Sequence, residues 1–132
     1  MNNWKEELQS KIKTRLYSEG IKNYNDVTEK FKAQFSSLVR PVVGTGVIPE
    51  IDASIDDDYA TFNIFERGLV VCKNKEDGTI WVNYKEENSD MHLGKIVFEE
   101  GYAYFVSDKE KSKQYLRPDL IDSLFEKAFK SL

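Results

Sequence analysis

His92 is the only histidine and Cys72 the only cysteine of the 132 residues. A tetrahedral zinc site draws on several such donors, so a single chain cannot build one from Cys and His. The two could still act together as thiol nucleophile and general base. Cys72 lies within a run of strand-forming residues, where a buried and inert thiol is expected. His92 lies in a polar stretch and is expected at the surface. The carboxylates Glu50, Asp52, Asp56, Asp57 and Asp58 crowd one segment. Oxygen ligands of this kind suit hard divalent cations. Their spacing lacks the central glycine of an EF-hand loop, so a solvated acidic loop is expected and no metal.

The remaining motifs carry less. Gly44-Thr45-Gly46 follows no clear strand and is not followed by Gly-Lys-Ser/Thr, so it makes a poor phosphate loop. Ser36-Ser37 lacks the strand-to-helix context of a nucleophile elbow. No catalytic residue and no cofactor is expected. The chain carries 19 basic and 23 acidic residues, a net charge of −4, which disfavours direct binding to nucleic-acid phosphates. The first 40 residues run against that balance, with eight basic and five acidic side chains; an anionic partner could face them, but solvated helix faces are the expected reading. With 40 % apolar and 32 % charged residues the composition is globular, and the length suits one domain over 1–132. A lone cysteine, the absence of an apolar leader at the N-terminus and the absence of a membrane-length apolar run lead to the expectation of a cytoplasmic protein. The Lys/Glu/Asn-rich surface fits AT-rich bacterial or phage coding.

These side chains must be positioned by an α+β fold. Trp4, Leu8, Ile12 and Leu16 recur every four residues and predict an amphipathic helix over 3–19, capped by Asn2 or Asn3, with Tyr17 widening the apolar stripe. Val27, Phe31, Phe35 and Leu38 predict a second helix over 27–39, closed by Pro41. Residues 41–58 read as an irregular connection with an edge strand at 47–51. Strands follow at 59–65, 69–74, 79–85, 94–98 and 102–107, with a polar link at 86–93 and a solvated run at 109–113. Pro118 opens a C-terminal amphipathic helix over 118–131 that packs on the five-stranded antiparallel meander.

Glu66-Arg67-Gly68, Glu76-Asp77-Gly78 and Glu99-Glu100-Gly101 each place glycine where a three-residue hairpin loop needs a positive φ. Taken so, they set the register. Phe62, Ile64, Val70, Cys72, Ile80, Val82 and Tyr84 then share the core face with Ile96, Phe98, Tyr102, Tyr104 and Val106. Thr61, Asn63, Phe65, Leu69, Val71, Lys73, Trp81 and Asn83 share the other. A slip of one residue would exchange the faces.

The mixed face directs the functional expectation. It suggests a small non-enzymatic protein-binding module of inhibitor, immunity or phage-accessory type. Phe65, Leu69, Trp81 and Asn83 are the contact candidates, with Asp52, Asp56, Asp57 and Asp58 steering a basic protein. A second copy of the chain is another candidate occupant, and cover by the N-terminal helices is the plain structural alternative. A different class of reading places a small-ligand or enzymatic pocket between the curved sheet and the 41–58 loop, lined by Tyr84, Tyr102 and Tyr104. A third makes the acidic surface a nucleic-acid mimic.

Overall fold

The computed structural model describes residues 3–44, 46, 48–86 and 89–130. The alternative cap Asn2, Thr45 of the Gly-Thr-Gly motif, Val47 of the expected edge strand and Leu132 lie outside them. Two helices come first, α1 (Trp4–Glu19) and α2 (Tyr24–Val43). Seven strands follow as β1 (Ile51–Ile55), β2 (Tyr59–Ile64), β3 (Arg67–Lys73), β4 (Ile80–Glu86), β5 (Ser89–Glu99), β6 (Tyr102–Ser107) and β7 (Lys113–Tyr115). Helix α3 (Pro118–Phe129) ends the described chain. The strands form one antiparallel meander in sequence order.

The sheet thus has two strands beyond the five expected. Strand β1 is almost wholly exposed and β7 is three polar or half-buried residues, so neither carries a core-facing pattern. Pairing to β2 and to β6 holds them. Helix α2 also runs through Pro41 for a final turn. Proline there removes one hydrogen bond near a helix end, where the cost is least. Gly44, at φ +64°, then stops the helix, and its N–H is bonded to the Arg40 carbonyl at 2.8 Å.

The core lies between one sheet face and the helices. Phe31 and Phe35 of α2, Phe62 of β2, and Phe125 and Phe129 of α3 form a ring cluster with centroids 5.4–6.4 Å apart. Leu69, Val71, Ile80, Val82, Ile96, Ala103, Phe105 and Leu116 extend it across the sheet.

The register differs from the three-residue-loop reading at all three turns. Ile64 pairs with Arg67 across a two-residue loop, with Phe65 at φ +53°, and Gly68 lies inside β3. Glu99 pairs with Tyr102 across Glu100-Gly101, both at positive φ, which is the two-residue hairpin whose twist matches its strands. Lys73 pairs with Ile80, and the Asn74 N–H donates to the Thr79 carbonyl, leaving a four-residue loop ending at Gly78. Two strands therefore exchange faces. Leu69 and Val71 point into the core in place of Val70 and Cys72. Ala103 and Phe105 do so in place of Tyr102, Tyr104 and Val106.

Helix α1 departs further from expectation. Its apolar stripe faces away from the protein, with Trp4, Leu8, Ile12 and Leu16 exposed by 61, 49, 48 and 63 %. The contact surface is instead polar and small. Ser18 is fully buried, donates from Oγ to the Ala103 carbonyl and accepts from the Ala103 N–H at 2.9 Å. Leu116, just past β7, still donates to the Ala103 carbonyl at 2.9 Å, and the Ser18 hydroxyl supplies the acceptor for the Ala103 N–H that a longer strand would have given. Helix α1 thereby covers the β6 edge, a place where unpaired backbone groups would invite association.

Candidate functional site

No helix of the described residues packs on the sheet face opposite the core. The contacts of α2 and α3 lie on the core side, and α1 borders β6 and β7. Across the open face one row of paired residues runs Tyr59, Cys72, Trp81, Lys95, Val106 and Lys113. Trp81 is 40 % exposed, a large apolar surface for a position with no cover.

A bulge builds the centre of this face. Val82 pairs with Gly94 and Asn83 with His92, so Leu93 has no partner of its own. Simple alternation from Ile96 would turn His92 toward the core. The extra residue reverses the alternation and sends His92 outward, an established use of β-bulges. There its ring lies 4.8 Å from that of Trp81 at a 45° tilt. Its Nδ1 contacts Asn83 Oδ1 at 2.6 Å. An amide oxygen can only accept, so the hydrogen of that contact belongs to Nδ1. Gly94 makes the crossing possible, because a Cβ there would strike the Val106 carbonyl and come within 2.6 Å of the Phe105 ring.

Beside Trp81 and His92 lies a shallow depression of about 400 Å³, rimmed by Asp77, Lys95, Asp108 and Lys111. Two acids and two bases leave the rim without net charge. Thr79 donates to Asp77 Oδ1 from its backbone N–H and its hydroxyl, at 2.9 and 2.6 Å, holding that carboxyl below its ordinary range. A second aromatic group continues the face over β6 and β7. Tyr104 stacks on Tyr115 at 4.8 Å, and Tyr102 meets Tyr115 edge-on at 5.4 Å. Lys113 sits over Tyr104 and Arg15 over Tyr102, at 4.7 and 5.3 Å from the ring centroids.

The residues singled out from sequence scatter on this framework. Trp81 and Asn83 come together, with His92 added. Leu69 is fully buried in the core and cannot be a surface contact, a direct consequence of the β3 register. Phe65 is 60 % exposed but tips the β2–β3 hairpin, beyond the far end of strands that pair Cys72 with Trp81. Asp56, Asp57 and Asp58 form the β1–β2 turn, beside the Asp77 end of the sheet, where Asp58 pairs with Lys75 at 3.2 Å. Asp52 lies further along β1 and accepts from Asn63 at 3.1 Å, so it stands apart from the other three. Tyr84 packs against the core while Tyr102 and Tyr104 face outward, so these three line no common pocket.

Cys72 is half-buried beside Trp81, and burial raises its thiol pKa. Its hydrogen-bond reach does not extend to His92, whose polar side-chain partner is Asn83. Among the described residues no cluster of three or more His, Cys, Asp or Glu could hold a metal ion, and no helix is long and apolar enough to cross a membrane. The tyrosine group had one usable sequence signal, the Glu-Gly pair at 100–101, which fits a two-residue hairpin and places Tyr102 and Tyr104 outward. The bulge at Leu93 has no local signature. No known family matches this sequence, nor does any curated protein or solved structure.

Proposed function

We propose that this protein is a non-enzymatic protein-binding module whose contact surface is the open sheet face centred on Trp81. The observation that carries this reading is the half-exposed Trp81, held against His92 with no helix over it. An antiparallel sheet with one solvated face ordinarily presents polar residues there. Here that face presents Trp81, Val97, Val106 and four tyrosines, Tyr59, Tyr102, Tyr104 and Tyr115, with polar tips from Asn83 and His92. Tryptophan and tyrosine are enriched among the residues that dominate interface energies. The Asp56–Asp58 turn projects at the Trp81 end of the sheet and would speed the approach of a basic partner. That turn is one short acidic segment, and Asp52 is engaged elsewhere, so support for nucleic-acid mimicry along a whole face is weaker.

The test is Trp81→Ala. Trp81 is 40 % exposed and rests on His92, so the truncation should lower the unfolding free energy modestly, by about 1–2 kcal/mol, while circular dichroism still reports a folded protein. Binding to a protein captured by the wild type should fall by at least 2 kcal/mol, about thirtyfold in Kd. Unchanged binding would remove the face from consideration.

A further inference from the structure

We infer that the outward stripe of α1 is a second docking surface, and that its occupant is an acidic amphipathic helix of another protein. It borders the open sheet face at Tyr115 but lies away from Trp81, and it does not depend on the reading given to that tryptophan.

Trp4, Leu8, Ile12 and Leu16 stand four residues apart. Each step advances about 40° around the helix, so the four form one oblique ridge roughly 18 Å long. A row of this i±4 kind is the unit that interdigitates when two helices cross. The ridge is not a convex edge alone. Leu8 and Ile12, its middle members, are the less exposed pair and form one wall of a groove of about 630 Å³. Tyr115 and Arg117, from β7 and the residues after it, form the opposite wall.

Charge selects the occupant. The groove is bordered by Lys11, Arg15 and Arg117 and has no carboxylate in its lining; Arg117 is already paired with Asp119 at 2.9 Å, so Lys11 and Arg15, whose hydrogen-bond partner is the neutral Tyr102 hydroxyl, carry the uncompensated charge. Lys5 flanks the ridge on its other side, and Lys11 belongs to no ion pair among the described residues. An apolar row flanked by glutamates or aspartates complements both features. A second copy does not. Two α1 helices crossing about Ser10 would bring Arg15 of one against Lys5 of the other and offer Lys11 only Gln9. A flat anionic bilayer would reach the ridge but leave the groove unfilled.

The test uses Trp4 fluorescence in a Trp81→Phe background. Three probes are added separately: a synthetic helical peptide with a leucine stripe flanked by glutamates, the same stripe flanked by lysines, and phosphatidylcholine vesicles containing phosphatidylglycerol. The glutamate peptide should shift Trp4 emission to the blue and saturate. Ile12→Ser and Lys11→Glu, both at exposed positions, should each weaken it by about tenfold or more with unchanged circular dichroism. Absence of saturable binding by the glutamate peptide would overturn the inference. So would equal affinity for the lysine peptide, a blue shift from vesicles without one from the peptide, or concentration-dependent dimerisation abolished by Ile12→Ser.

Discussion

Replacing Ser18 by alanine should cost more than replacing Leu16, the reverse of what their side chains alone would suggest. Ser18 Oγ is the partner of both the N–H and the carbonyl of Ala103. The carbonyl also accepts from the Leu116 N–H at 2.9 Å and stays satisfied without the hydroxyl. The Ala103 N–H has no such reserve, and both residues are fully buried. One orphaned buried donor costs about 1–3 kcal/mol. Leu16 is 63 % exposed, so Leu16→Ala should stay within about 0.5 kcal/mol. With a urea slope of about 2 kcal/mol per M, the midpoint should fall by about 0.5–1.5 M for Ser18→Ala and by about 0.25 M at most for Leu16→Ala. Equilibrium urea unfolding followed by circular dichroism measures both. A core-facing stripe would instead make the leucine truncation cost about 2–5 kcal/mol. A neutral Ser18→Ala together with a costly Leu16→Ala would refute the orientation of α1 and the docking surface built on it.

Three further outcomes follow from the same framework. Gly94→Ala should destabilise by about 2–4 kcal/mol, because the new methyl meets the Val106 carbonyl and the Phe105 ring inside the core, and thermal or urea unfolding reads it. Burial, as the first cause, pushes the Tyr17 and Tyr24 hydroxyls up to about 12. Above about pH 10 the unfolded chain releases these protons while the folded one keeps them, so stability should fall steadily from about pH 10 to about pH 12. Urea midpoints across that range measure it, and Tyr24→Phe should flatten the slope while losing the 3.0 Å bond to the Asp56 carbonyl. Iodoacetamide should alkylate Cys72 more slowly in the native protein than in urea at neutral pH, with the native rate still rising in alkali, since burial disfavours the thiolate.

Helices α2 and α3 were legible because their stripes, Val27-Phe31-Phe35 and Leu120-Leu124-Ala128, are the surfaces that pack. Helix α1 carries a regular apolar row on an otherwise polar helix, a far weaker amphipathic signal than that of α2 or α3, and the row's periodicity says that a helix forms there, not which way it turns. The apolar fraction of β2 and β4 was likewise legible, since Phe62, Ile64, Ile80 and Val82 keep the face assigned to them. Faces were lost at β3 and β6 because both faces of those strands are apolar. Val70, although on the open face, is 3 % exposed. Hydrophobicity therefore could not choose the register, and turn length decided it. Trp81 and Asn83 emerged from sequence as neighbours on one face. His92 did not, because its direction depends on one unpaired residue in β5.

The central claim is that the Trp81 face, and not merely an exposed tryptophan, holds a partner protein. Affinity capture from cells of the native host, with wild type, Trp81→Ala and Ile12→Ser baits in parallel, tests it most directly, with each captured protein then purified and titrated against the same three. A partner of the Trp81 face is expected among the captured proteins, recognised by binding that is lost with Trp81→Ala and kept with Ile12→Ser. Binding of every captured protein at wild-type affinity by Trp81→Ala would contradict it.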